Sequence, residues 1–213
     1  MFVSWRMTAH PFTVSPSTTV PEAVNLMQKH HVRKLPVVSN GRLVGIVSQS
    51  DIDRASPSMA TSFSAGELIY LFSKLKISEV MTRHPITIGP NALLDEAAIL
   101  MRDHKIEILP VIEDDELIGV ITESDLLDAF IELNGARVNG TRLIIEADDQ
   151  PGVMARLASI TSEVRTNITH IAVYRGGLER SLVVLGVNTL NTDDLEEKIA
   201  NAGFTVKYRM RNE

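Results

Sequence analysis

Two seven-residue stretches carry hydroxyls and carboxylates at one spacing: Gly45-Ile46-Val47-Ser48-Gln49-Ser50-Asp51 and Gly119-Val120-Ile121-Thr122-Glu123-Ser124-Asp125. In each, a glycine and two β-branched residues lead to a hydroxyl, with an aspartate three positions later. The β-branched run reads as a buried strand, and hydroxyl-x-x-acid as a helix N-terminus. The first N–H groups of such a helix lack partners within it and lie at the positive end of its dipole, which favours phosphate. The glycine allows close backbone approach. The same pattern is also a capping box, in which hydroxyl and carboxylate satisfy each other's backbone donors.

The elements that position these groups are duplicated as well. Met7-Thr8-Ala9-His10-Pro11-Phe12-Thr13-Val14 returns as Met81-Thr82-Arg83-His84-Pro85-Ile86-Thr87-Ile88, and the offset of 74 persists with 18 identities over residues 7–52. Each copy reads as a short strand (12–14, 86–88), an amphipathic helix (20–31, 94–104), two strands (35–38 and 43–47 in the first copy), and the helix after the hydroxyl. A unit of roughly 50 residues buries too little surface to stand alone, so the copies are expected to share a core with a ligand cleft between them.

Composition narrows the function. The 213 residues are 44% hydrophobic, enough for real cores, and 27 acidic against 21 basic side chains give a net charge of -6. That balance argues against a chain built to grip nucleic acid or an anionic membrane. There is no cysteine for a disulfide or thiolate metal site. No apolar run reaches the roughly 18 residues of a membrane span. The opening Met1-Phe2-Val3-Ser4-Trp5-Arg6-Met7 lacks the order of a signal peptide, so a cytoplasmic protein is expected. His10 and His84 have no further ligands at suitable spacing, and no metal site is expected. Glu123, Asp125, Asp148 and Asp149 could pair as acid and base, but no nucleophile elbow, P-loop or metal motif joins them. No catalytic residue is assigned, and a non-enzymatic protein is expected.

The two copies resemble a tandem pair of cystathionine-β-synthase (CBS) domains, through Met-Thr-x-x-Pro-x-Thr-hydrophobic, Leu-Pro-Val and Gly-hydrophobic-x-(Ser/Thr)-x-x-Asp, over residues 1 to about 134. The resemblance implies a module that binds adenosine nucleotides (AMP, ADP or ATP) or S-adenosylmethionine as regulatory ligands, with no catalytic cofactor. It implies that Ser48 and Thr122 bind phosphate and that Asp51 and Asp125 hold ribose hydroxyls. Thr13 and Val14, with Thr87 and Ile88, would build base pockets beside Pro36-Val37 and Pro110-Val111. The copies differ before their second strands, where His30-His31-Val32-Arg33-Lys34 faces His104-Lys105-Ile106-Glu107-Ile108. Arg33 can fork onto a phosphate and Glu107 would repel one, so the site nearer Arg33 is expected to prefer the more highly phosphorylated ligand. The other is expected to take a mononucleotide or nothing. The plainer alternative is a solvated helix end.

Between the copies, residues 54–63 read as an exposed connection. Ser64-Ala65-Gly66-Glu67 then opens a helix whose Leu68, Ile69, Leu71, Phe72 and Leu75 either close the module's core or form a dimer contact. After the helix from Glu123 stops at Asn134-Gly135, residues 136–140 read as a hinge. The remainder reads as strand (142–147), helix (151–164), two strands (167–174 and 180–187) turned by Gly176-Gly177, a helix capped by Thr192 and ended by Gly203, and a last strand (204–210). This is the ferredoxin-like split order β-α-β-β-α-β. Asp149-Gln150-Pro151-Gly152-Val153-Met154 and Asn167-Ile168 make it similar to the ACT domain, a regulatory module that commonly binds amino acids at a paired interface. Gly152 and Asn167 are the candidate ligand residues, although Arg165-Thr166 stand where that family often has glycine before the asparagine.

The expected architecture is thus α/β (α+β): CBS repeat 1 (1–56), linker and amphipathic helix (57–76), CBS repeat 2 (77–134), hinge (135–140) and ACT domain (141–213). The module order resembles the acetoin-utilisation accessory family. It implies a regulatory adenosine-nucleotide sensor, a homodimer, with an unidentified protein partner downstream. The rival reading is an amino-acid sensor acting through the ACT domain, with the CBS pair as a dimerisation scaffold.

Overall fold

The computed structural model describes residues 1–55, 65–175 and 180–213, and for 65–69 the backbone alone. The chain divides into two compact units, Met1–Leu126 and Leu127–Glu213. The division falls within a helix, earlier than the hinge that the sequence places at 135–140.

The first unit holds both repeats. Repeat 1 contributes β1 (Thr8–Ala9), α1 (Val20–His30), β2 (Lys34–Ser39), β3 (Arg42–Ser48) and α2 (Gln49–Ala55). After α3 (Ala65–Lys74) and the short α4 (Ile77–Val80), repeat 2 supplies β4 (Thr82–Arg83), α5 (Leu94–His104), β5 (Ile108–Glu113), β6 (Glu116–Thr122) and α6 (Glu123–Leu133). The helices begin where the sequence has capping chemistry. The Thr19 N–H donates to Glu22 Oε2 at 2.8 Å, and Pro21 occupies the first turn of α1, where no partner for its missing N–H is needed.

The two sheets are built by exchange. β1 pairs antiparallel with β6 of the other repeat (Thr8↔Val120, Ala9↔Gly119), and β4 pairs with β3 (Thr82↔Ile46, Arg83↔Gly45). The sheets therefore run β1-β6-β5 and β4-β3-β2. This explains the motif glycines. A Cβ on Gly45 would lie 2.7 Å from Met81 Sδ and 2.9 Å from the Thr82 carbonyl, and one on Gly119 would lie 2.6 Å from Met7 Sδ. The close approach they permit is that of the exchanged strand rather than of a phosphate.

The expected strands at 12–14 and 86–88 are absent as ladders. Each is a single parallel bridge, Val14↔Val37 and Ile88↔Val111, because prolines on either side remove the donors a longer ladder needs. Val14, Val20, Ala23, Met27, Leu35, Val37, Val47, Ile52 and Ile77 form one core. Phe72 of α3 and Leu75, just beyond its end, pack against it, which favours the core-closing role over a dimer contact for those two residues, whereas Leu71 is exposed. The expected Ser64–Glu67 cap and the faces of Leu68 and Ile69 lie outside the described residues and side chains.

The second unit follows the expected β-α-β-β-α-β order. It comprises β7 (Gly140–Asp148), α7 (Val153–Glu163), β8 (Ile168–Arg175), β9 (Arg180–Val187), α8 (Asp193–Asn201) and β10 (Thr205–Asn212), in a sheet ordered β10-β7-β9-β8. Leu143, Ile145, Leu157, Val183, Leu185, Leu195 and Ile199 fill its core. The turn expected at Gly176-Gly177 lies outside the described residues. Thr192 stands at the α8 N-cap, but its hydroxyl donates to Glu196 Oε1 at 2.6 Å, and Asn191 Oδ1 accepts the Asp193 N–H instead. Gly135 (φ +60) ends α6, as its sequence position implies. A Cβ on Gly135 or Gly186 would approach the His170 ring to 2.1 or 1.9 Å, so both glycines make room for that ring.

Candidate functional site

At both duplicated junctions the hydroxyl and carboxylate close a capping box. The Ser48 N–H and Oγ donate to Asp51 Oδ2 at 2.8 and 2.6 Å, while the Asp51 N–H donates to Ser48 Oγ at 3.2 Å. Thr122 and Asp125 repeat this, with 2.8 and 2.7 Å to Asp125 Oδ2 and 3.3 Å for the returning bond. The capping role read from the sequence is therefore realised twice. It occupies one oxygen of each carboxylate and leaves the other to be decided by the surroundings.

A cavity of about 710 Å³ opens at the second junction, lined by Thr122, Glu123 and Ser124 together with Pro11, Phe12, His31, Arg33, Lys34 and Pro36 of the first repeat. Two features of the fold bring these together. The β1–β6 pairing carries the His10-Pro11-Phe12 segment beside β6, and the left-handed His31 (φ 54) ends α1 so that the chain turns into β2 at the cavity wall. Phe12 is half exposed and stacks on His30 with ring centroids 3.7 Å apart, and Phe12 and Pro36 both line the cavity. Apolar Val32, Ile108 and Val120 complete the walls.

The charges on this cavity are mixed. Lys34 forms an ion pair and hydrogen bond with Glu107, across the two repeats. That hydrogen bond, the lysine's charge and the further charge of Arg33 hold the Glu107 carboxyl below its ordinary pKa. Arg33 and Glu107, which the sequence assigns to different sites, thus line one and the same cavity. The expectation of one cationic and one anionic site does not follow from this arrangement, because the exchanged packing sets the two pseudo-equivalent positions side by side. A phosphate entering here would meet Arg33 and would compete with Glu107 for Lys34.

Of the residues expected to bind nucleotide, Arg33, Pro36 and Thr122 line this cavity, and Asp125 adjoins it through its bond to Thr122. Val14, Val37, Ile88 and Val111 are core residues, with Val37 and Val111 fully buried and Val14 and Ile88 slightly exposed. The backbone beside them is already used, since Pro36 and Pro110 carbonyls accept the Val14 and Ile88 N–H groups at 3.1 and 3.0 Å. Ser48 and Asp51 lie at the other junction, and neither they nor Thr13, Thr87 and Pro110 line this cavity. Phe12, His31 and Lys34 were not singled out from the sequence as cavity residues. The signal that could have found them is the glycine at the start of each motif, which marks a chain crossing.

In the second unit, Gly152 (φ +91) is the N-cap of α7, and a Cβ there would meet nothing within 4 Å. Its requirement is conformational, not one of close approach. Asn167 lies beyond the other end of the same helix, its N–H donating to Asn188 Oδ1 at 3.0 Å. Eleven helical residues, about 16 Å, separate the two positions, so they do not form one small-ligand site within a single chain. No group of side chains able to hold a metal occurs among the described residues. No described helix is long and apolar enough to cross a membrane.

The family model for the CBS domain matches residues 3–58 and 77–132, more than half of the chain. The chain belongs to the CBS-domain family. Among curated proteins it is 33% identical over 120 residues to the CBS domain-containing protein YhcV of Bacillus subtilis (strain 168), covering 56% of this chain and 79% of that one. It is also 33% identical over 161 residues to an inosine-5'-monophosphate dehydrogenase of Korarchaeum cryptofilum (strain OPF8), covering 75% of this chain but 31% of the enzyme. The chain thus spans about a third of that dehydrogenase's length. Among solved structures, a putative acetoin utilization protein (AcuB) from Vibrio cholerae is 36% identical with a TM-score of 0.52, over 62% of this chain and 92% of that one. CBSX2 in complex with AMP is 32% identical (TM-score 0.51; 62% and 97% covered). The CBS pair of MJ0100, in complex with 5'-methylthioadenosine and S-adenosyl-L-methionine, is 29% identical (TM-score 0.51; 61% and 95% covered).

Proposed function

We propose that the CBS pair is a non-enzymatic regulatory sensor that takes an adenosine-containing ligand in the cavity at Thr122. The observation that carries this reading is that one cavity is lined by Phe12 and Pro36, by the cations Arg33 and Lys34 and by the hydroxyl residue Thr122. Phe12 and Pro36 offer faces for a purine, Arg33 and Lys34 offer cations for a phosphate, and Thr122 sits at the N-terminus of an eleven-residue helix. Asp125 then accepts from the ribose hydroxyls with the oxygen its cap leaves over. The adenosyl ligands of the CBSX2 and MJ0100 structures support the ligand class. The likeness to AcuB supports a regulatory role, with acetoin utilisation the metabolic setting it suggests.

By the pseudo-symmetry of the repeats, Ser48 and Asp51, with Thr87, Ile88, Pro110 and Val111, hold the corresponding positions at the first junction, while Thr13, Val14 and Val37 adjoin Phe12 and Pro36 of the Thr122 cavity. The second unit is read as an ACT-type regulatory domain on its β-α-β-β-α-β topology and the Asp149-Gln150-Pro151-Gly152 entry to α7. Because Gly152 and Asn167 lie at opposite ends of α7, an amino-acid site there would need a second copy of the chain. That requirement fits the proposed homodimer, working in the cytoplasm on a protein partner.

The deciding experiment is thermal unfolding against AMP, ADP, ATP, S-adenosylmethionine and a panel of amino acids, each alone. An adenosine compound at 100 times its dissociation constant should stabilise the protein by about 2.7 kcal/mol, a rise of several degrees. Stabilisation by amino acids with none by adenosine compounds would transfer the sensing role to the second unit.

A further inference from the structure

Resting on the adenosine-ligand reading above, a second asymmetry distinguishes the junctions. Asp51 is 9% exposed and both of its oxygens are engaged: Ser48 holds Oδ2, and Arg54, one helical turn on, forms an ion pair with Oδ1. Asp125 is partly exposed, its Oδ2 is held by Thr122, and among the described residues nothing bonds its Oδ1. The residue one turn on from Asp125, at the position equivalent to Arg54, is Asp128, which cannot donate to a carboxylate.

We propose that the residue three positions after the motif aspartate is the specificity determinant of this CBS pair: Arg54 latches Asp51 and keeps the first junction structural, while Asp128 leaves Asp125 open to a ribose diol. The module then takes one adenosine ligand per chain, at the Thr122 cavity. Arg54 acts through Asp51 and is the positioning residue, and Asp128 matters because it brings no cation to Asp125. Side chains three apart on a helix are neighbours, so an arginine introduced at 128 reaches Asp125 as Arg54 reaches Asp51.

The test is calorimetric titration of the full chain with AMP and with 2'-deoxy-AMP, which keeps the phosphate and base but offers no diol. Wild type should bind one AMP per chain and prefer it over the deoxynucleotide by about tenfold, the worth of a charged hydrogen bond. Asp128→Arg should weaken AMP by about five- to tenfold and leave 2'-deoxy-AMP nearly unchanged, collapsing the preference. Asp128→Asn, which brings no cation, should retain it. A merely structural role for residue 128 would weaken both nucleotides together and would overturn the proposal. So would two equal AMP sites in wild type, or loss of the tighter binding in Asp51→Ala with retention in Asp125→Ala. Absence of AMP binding in wild type and all variants would instead defeat the nucleotide reading on which the proposal rests.

Discussion

The junctions at Ser48–Asp51 and Thr122–Asp125 have nearly superimposable hydrogen bonds, with 2.8 Å from each backbone donor and 2.6 or 2.7 Å from each hydroxyl. Their settings are not alike. The first carboxylate is buried beneath an arginine, and the second borders a cavity lined by cations from the other repeat. Duplication has preserved what the fold needs, a capped helix after a strand. On the proposed reading, the ability to bind depends on positions outside the shared motif, at 33, 34, 54 and 128.

If that division between scaffold and site is correct, paired substitutions should behave equally at scaffold positions and unequally at site positions. The largest effect is expected at the strand crossings. Gly45→Val and Gly119→Val should each destabilise the protein by about 3 kcal/mol in denaturant unfolding, because the new side chain meets the exchanged strand or its methionine. A cost confined to one of them would break the pseudo-symmetry. Next, Asp125→Ala should cut the roughly 2.7 kcal/mol of stabilisation expected from AMP at 100 times its wild-type dissociation constant to about 1.4 kcal/mol, the effect of a tenfold weaker site, and Asp51→Ala should keep it. In the absence of ligand the order reverses. Asp51→Ala should cost about 1.5 kcal/mol, since it removes the cap on part-buried Ser48 while the exposed Arg54 turns to water, against about 1 kcal/mol for the more exposed Asp125→Ala.

A smaller effect is expected from Glu107→Gln. It frees Lys34 for phosphate and should tighten AMP by about threefold in the same titration, with little change in stability, because Glu107 is largely exposed. The smallest effect is on acid stability. Glu107's pKa lies below its ordinary 4.5 in the folded protein, so the stability from its pairing with Lys34 is complete above 4.5 and is lost as pH falls through the lowered value. The difference between wild type and Glu107→Gln should therefore be flat near neutrality and shrink in acid. His170 in the second unit provides a contrast. Burial, and secondarily the Arg142 charge, depress its pKa from 6.5, so the unfolded chain binds a proton first as pH drops and the second unit should lose stability already below about 6.5.

The comparison also shows how far local pattern carries. The duplicated hydroxyl-x-x-acid, the helix caps at Thr19 and Gly135, and the β-α-β-β-α-β order were all legible, because each depends on residues within a few positions of one another. Thr13 and Ile86 were read as parts of strands because alternation is visible in a sequence. That the neighbouring prolines reduce those segments to single bridges depends on which partner strand they meet.

From its sequence alone this protein was determined to be a tandem repeat with two capped strand-to-helix junctions and a third, differently patterned α/β segment. The physical reason is that caps, periodicity and repeats are short-range or self-similar. Only the tertiary structure decided that the first strands exchange between repeats, that Arg33 and Glu107 share a cavity, that Phe12 forms part of its wall, and that Asp51 is latched while Asp125 is not. Those outcomes are set by contacts between residues about 70 or more positions apart, or by the competition of side chains for one carboxylate oxygen, neither of which a local pattern encodes.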